Sequence, residues 1–221
     1  MKRILCYGDS NTWGYDPSNI DTETGLPCRF DENTRWPGIM RNALGDDYFI
    51  WEAGLCGRTT VFDDPLMPTR NGARDFEMVL QSCDPVDCII FALGTNDTKD
   101  MFHASPLIIS HGMERLLNMC DAALVHSRSS HAKIILACPI VPVADGKGEY
   151  QYGFSLLSTQ RGEQMRQLYE LLTMQHNCSY VDLNDWAKAS SADGVHMDAK
   201  GHKAVGLEMA RLVKSILSNE E

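Results

Sequence analysis

Residues 88–97 read Cys-Ile-Ile-Phe-Ala-Leu-Gly-Thr-Asn-Asp: six apolar residues that stop at a glycine and a polar turn. A run this short and apolar at every position has no solvent face. It reads as a strand covered on both sides, as in a parallel sheet between helical layers. A second such run, Ile-Ile-Leu-Ala-Cys, fills 134–138. Weaker strand candidates lie at 4–7, 48–51 and 180–183. Between the strands, apolar residues recur at helical spacing. Met113, Leu116, Leu117, Cys120, Ala123 and Leu124 form one stripe; Met165, Leu168, Tyr169 and Leu172 form another. Val205, Met209, Leu212, Val213 and Ile216 form the last, with Asp198 placed to cap its helix. Strands alternating with helices predict an α/β fold with a five-stranded parallel sheet and right-handed crossovers.

The whole chain fits that pattern. Its 221 residues read as one domain, with no repeat and no low-complexity linker. The stretches 14–38, 59–74 and 139–153, rich in Pro, Gly, Asp and Thr, read as ordered loops. The first two exceed the usual strand–helix connection, so they are expected to roof a site or to mate with other subunits of a homo-oligomer. The net charge is −10. With no basic stripe, nucleic acid and anionic membrane surfaces are not expected partners. The same charge favours neutral or cationic ligands over acidic ones.

Eight cysteines, at 6, 28, 56, 83, 88, 120, 138 and 178, include no C-x-x-C pair and no close zinc-type spacing with histidine. They read as reduced structural thiols. The apolar residues at the N-terminus are too few for a signal-peptide core, and no run reaches the length of a membrane span. A cytoplasmic protein is the expectation.

In an open parallel sheet, ligands bind beyond the carboxyl ends of the strands. Four polar blocks fall there. Gly8-Asp9-Ser10-Asn11-Thr12-Trp13-Gly14 follows the first strand and offers a serine hydroxyl at a strand-to-helix turn. By itself it also reads as a helix cap. Asp193-Gly194-Val195-His196 can supply a base for that serine and a carboxylate to hold the base's tautomer. Alone it reads more readily as a surface loop with an incidental histidine. Asn96, in Leu93-Gly94-Thr95-Asn96-Asp97, can aim an amide N–H at a developing oxyanion, or simply serve the turn. Gly54, in Glu52-Ala53-Gly54-Leu55-Cys56-Gly57-Arg58-Thr59, can expose a backbone amide.

Together and in this order, the four blocks resemble those of the SGNH (GDSL-type) hydrolases, from Gly8 to the final helix. Trp13, Arg35-Trp36, the block around Gly54 and Arg58, Asp63-Asp64-Pro65, Asn71-Gly72 and residues 94–99 are similar to the arylesterase/acyltransferase branch. Asn11 departs from the leucine common at that place. The resemblance implies a three-layer αβα sandwich of flavodoxin-like architecture, with Ser10 as nucleophile, His196 as base and Asp193 as its orienting carboxylate. It places the oxyanion hole at the Ser10 amide, the Gly54 amide and the Asn96 side chain, and calls for no metal or cofactor. It implies hydrolysis of small acyl esters, acetyl above all, through an acyl-serine, with acyl transfer to alcohols and sugar deacetylation as relatives of that chemistry. A phosphate-binding flavodoxin-like module is the non-enzyme alternative, and it leaves Asp193 and His196 without a role.

Four further readings accompany these. Trp13 is placed as a wall of the acyl pocket, core packing being its alternative. Asp9 and Asp97 are expected to hold their turns through backbone amides rather than to act as a carboxylate pair. Arg58 is read as either a substrate contact or a partner of Asp63 or Asp64. None of the cysteines is needed as a nucleophile.

Overall fold

The computed structural model describes residues 1–218. Five parallel strands form the sheet: β1 (Lys2–Gly8), β4 (Tyr48–Gly54), β5 (Cys88–Ala92), β6 (Lys133–Cys138) and β7 (Cys178–Asp182). Their order is β4-β1-β5-β6-β7, the flavodoxin-like order. Each of the runs read as a strand from sequence is one. Alternation along β1 splits its side chains between two cores. Leu5 and Tyr7 join Phe76, Phe91, Leu116 and Tyr169 beneath α3 (Gly72–Cys83), α4 (Pro106–Leu124) and α5 (Leu156–Leu172). Ile4 and Cys6 join Trp36, Met40, Val205 and Met209 beneath α2 (Trp36–Leu44) and α6 (Ala199–Ser218). Each large apolar side chain so buried is worth roughly 1.5–3 kcal/mol.

α4, α5 and α6 follow the apolar stripes. Asp198 caps α6, accepting from the Gly201 amide at 2.8 Å. The loop readings at 14–38 and 59–74 missed ordered elements. The first stretch holds the antiparallel pair β2 (Tyr15–Ile20) and β3 (Pro27–Arg29) and the start of α2. The second holds a one-turn helix at Pro68–Arg70, a bridge between Thr59 and Asn71, and the start of α3. Prolines and glycines at the helix starts hid them: Pro37 occupies the first turn of α2, and Asn71 caps α3 through the Ala73 amide at 3.1 Å.

Every helix that follows a sheet strand starts at the carboxyl edge of the sheet. That edge therefore collects helix N-termini with their free N–H groups, and it is where polar side chains are buried. Among the described residues no helix is long and apolar enough to cross a membrane.

Candidate active site

β1 ends at Gly8, where a Cβ would lie 2.0 Å from the Thr12 hydroxyl oxygen, so only glycine lets the chain turn. The turn starts α1 (Ser10–Trp13), whose N-cap Asp9 accepts from the Asn11 amide at 2.9 Å. Ser10 is the first helical residue and is buried; its N–H has no acceptor within the helix. Asp9 Oδ2 is buried without a hydrogen-bond partner among the described residues, and burial pushes this carboxyl up to about 7.

The far end of the chain meets this turn. His196 Nε2 lies 2.8 Å from Ser10 Oγ, and His196 Nδ1 lies 2.6 Å from Asp193 Oδ2. The other Asp193 oxygen accepts from the amides of Val195 and His196, at 2.9 and 3.0 Å. Burial works to raise the Asp193 pKa, but the His196 hydrogen bond and these amides hold it below the ordinary carboxylate value. Asp193 is thus an ionised acceptor, so the imidazole proton sits on Nδ1 and Nε2 presents its lone pair to the serine. Gly194, at φ +73, turns the loop where a Cβ would strike the Val143 carbonyl at 2.1 Å.

Asn11 joins the two blocks. Its Oδ1 accepts from the Met197 amide at 2.9 Å, and its Nδ2 donates to the Val195 carbonyl at 3.5 Å. The residue that departs from the common leucine therefore clasps the backbone on both sides of His196. Sequence reading gave it no such task.

Asn96 donates from Nδ2 to the Arg58 carbonyl at 3.1 Å, which fixes its amide plane. Its neighbour Asp97 accepts from the Thr60 amide and hydroxyl, as a turn-holding carboxylate should. Gly54 is pressed against α1: a Cβ there would lie 2.2 Å from the Trp13 amide nitrogen. Arg58 follows neither of its two sequence readings. It donates to the Gly8 carbonyl at 2.8 Å and to the Ala53 carbonyl, capping the ends of β1 and β4 with its guanidinium over the Tyr7 ring. Asp63 instead pairs with Arg74 at 2.6 Å, and Asp64 accepts from the Leu66 and Met67 amides.

A cavity of about 270 Å³ opens over Ser10, Asn96 and His196. Trp13 and Gly54 are not among its lining residues. The Trp13 ring lies under the Arg29 guanidinium, 5.2 Å away, on the β3 side. The aromatic residues at the cavity are Tyr15, Tyr152 and Phe154. Tyr15 stacks on the His196 imidazole with centroids 3.8 Å apart and planes 9° from parallel. Tyr152 meets the same ring edge-on at 5.8 Å, and the two phenols hydrogen-bond at 2.8 Å. Cys56 also lines the cavity, but burial pushes its thiol up to about 11, so it is protonated at neutral pH. Among the described residues, no three His, Cys, Asp or Glu side chains converge as a metal-ligand set.

The arrangement can pass a proton from Ser10 to His196 while Asp193 holds the imidazole, and Asn96 lines the same cavity. Similar structures share the fold over their full length. The M. smegmatis aryl esterase is 31% identical, covering 97% of this chain and 99% of that one, with a TM-score of 0.87. A carbohydrate acetylesterase from Sinorhizobium meliloti is 30% identical, covering 98% and 100%, at TM-score 0.86. A carbohydrate acetylesterase family member from the same organism is 33% identical, covering 99% and 100%, at TM-score 0.86. No curated protein gives a significant match. Residues 6–204 match the GDSL-like Lipase/Acylhydrolase family, a span that takes in all four blocks, and the chain belongs to that family of carboxylic ester hydrolases of the SGNH type.

Proposed function

We propose that the protein hydrolyses small acyl esters, acetyl above all, through an acyl-Ser10 intermediate. The observation that carries this reading is the continuous relay Asp193–His196–Ser10, with contacts of 2.6 and 2.8 Å. His196 takes the serine proton as Oγ attacks the ester carbonyl, then returns it to the departing alcohol. Ionised Asp193 holds the imidazole and stabilises the imidazolium. The Ser10 amide, the Gly54 amide and the second N–H of Asn96 receive the developing oxyanion. Water then attacks the acyl-serine with His196 as base, releasing the acid.

The small cavity suits a short acyl group. Its apolar wall, including Met67 and Phe154, supports a second outcome, capture of the acyl group by an alcohol. The acetylesterases among the similar structures favour acetylated sugars as the alternative substrate class. The long β2–β3 segment fits a homo-oligomer, and eight free cysteines fit a reducing, cytoplasmic setting.

Mass spectrometry of protein mixed with 4-nitrophenyl acetate and quenched within the first turnover tests the mechanism. An acetyl group on Ser10 is expected; turnover with Ser10 unmodified overturns it. The ratio of acid to ester formed in aqueous alcohol separates hydrolysis from transfer.

A further inference from the structure

The cavity over Ser10 has an unusual charge. No carboxylate lines it, and Lys99 is the one lysine or arginine among its lining side chains. The Lys99 ammonium lies 5.4 Å from the Phe154 ring centroid. It has no hydrogen bond or ion pair among the described residues. Burial lowers its pKa, while Asp64, Asp9 and Asp97 act through space to keep it protonated. These carboxylates balance its charge without taking its protons: Asp64 accepts from Leu66 and Met67, Asp9 from Asn11, and Asp97 from Thr60. Three N–H donors are left unspent beside an apolar space. A second cation stands behind the same wall. Arg70 packs against the cavity-lining Gly57, where a Cβ would lie 3.4 Å from Arg70 Nε, and that nitrogen is buried with no hydrogen-bond partner among the described residues.

We infer that the preferred ester carries a carboxylate on its alcohol portion, which shares this cavity with the short acyl group, and that Lys99 is the specificity residue that binds it. This rests on the esterase reading of the same cavity. It reverses the preference suggested by the net charge of −10. Charges spread over a solvated surface are screened within about 8–10 Å, whereas a half-buried ammonium acts on a ligand it touches.

Two aryl acetates that differ in one group test it: the anion 4-acetoxybenzoate and its neutral methyl ester. The quantity read is the anion-to-neutral ratio of kcat/KM, in which general damage to the catalyst cancels. Lys99→Met is expected to lower that ratio about tenfold, and Lys99→Arg to restore most of it. In the unaltered protein the ratio should fall as salt rises from about 20 mM to about 0.5 M. This second measurement serves even if the methionine variant does not fold. A ratio insensitive to both Lys99→Met and salt overturns the proposal and leaves Lys99 as a counter-charge for the buried aspartates. Calorimetric binding of 4-hydroxybenzoate, which needs no turnover, separates the two readings. Salt-sensitive binding lost in Lys99→Met, with no acetyl release from either ester, defeats the esterase reading and keeps the anion site. Release from the neutral ester with no such binding does the opposite.

Discussion

The two ends of the sheet are made from the same five strands and treat polar groups in opposite ways. At the amino edge, Asp87 accepts from the Arg3 amide at 2.7 Å and pairs with Lys2 and His131 at 3.4 Å, where Lys2 and His131 are exposed to solvent. Water can replace any of these contacts. At the carboxyl edge, Asp9, Ser10, Asn11, Asn96, Asp97, Asp193 and His196 are all buried. Some of their bonding capacity is unspent there, as at Asp9 Oδ2. A buried polar group left unsatisfied costs about 1–3 kcal/mol. Folding alone would have favoured the first treatment at both ends; the second is found around the residues proposed to act on the ester.

Substitutions at the two edges should therefore separate activity from stability. Ser10→Ala is the largest test: aryl acetate turnover should fall by about 10⁵ or more. Its thermal unfolding should stay near that of the parent. Asn96→Ala should lower kcat by roughly 10²–10³ with the fold intact by circular dichroism. If either variant kept full activity, the carboxyl edge would be no more chemical than the amino one. Asn11→Ala removes both clasps on the His196 loop; about a tenfold loss in kcat is expected, with about 1–3 kcal/mol lost in urea unfolding. A change in KM alone would show that Asn11 touches substrate instead.

The edges also differ in how they respond to pH. Burial raises Asp9 to about 7 and Asp97 to about 6, whereas both ionise near 4 when unfolded. Between those values the folded chain holds protons that the unfolded chain has lost, so these groups make stability fall as pH rises from about 4 to 7. His202, lowered to about 3 by burial, works in the opposite sense below pH 6.5. Comparing the parent with Asp9→Asn isolates one group: the variant's urea midpoint should decline less steeply across that window. Parallel curves would refute the buried, proton-holding Asp9. The smallest effect belongs to the amino edge, where Asp87→Ala should cost about 1 kcal/mol and leave turnover unchanged.

The elements legible in the sequence are those whose burial is written locally. Residues 88–93 and 134–138 are apolar throughout because helices cover both faces of the strands they form. α2 and α3 were hidden because capping and first-turn residues at their starts, Pro37 and Asn71, look like turn punctuation. The same split holds in the site. Ser10, Asn96, Asp193 and His196 stand in recognisable blocks. Tyr15 and Tyr152 do not: they reach His196 only because a hairpin and a loop with Tyr152 at φ +55 fold over it, which no periodicity encodes. Trp13 sits three residues past Ser10, yet its ring lies under Arg29, a residue brought there by β3. Gly54 is legible as a glycine, but its immediate demand is steric, the close passage of α1.

The contact between Ser10 and His196 closes across 186 positions, as does that between Asn11 and Met197. Contacts this distant in sequence are late to form and slow folding. Synthesis delivers the amino end first. The serine turn, β1 and helices α1 to α5, though not α6, can thus emerge while His196 is still inside the ribosome. Until the stretch carrying Asp193 and His196 arrives, Ser10 is an ordinary alcohol. Under the proposed mechanism catalytic competence is a late event, and it doubles as a report that the two distant stretches, one at Ser10 and the other at His196, have both been made and threaded together.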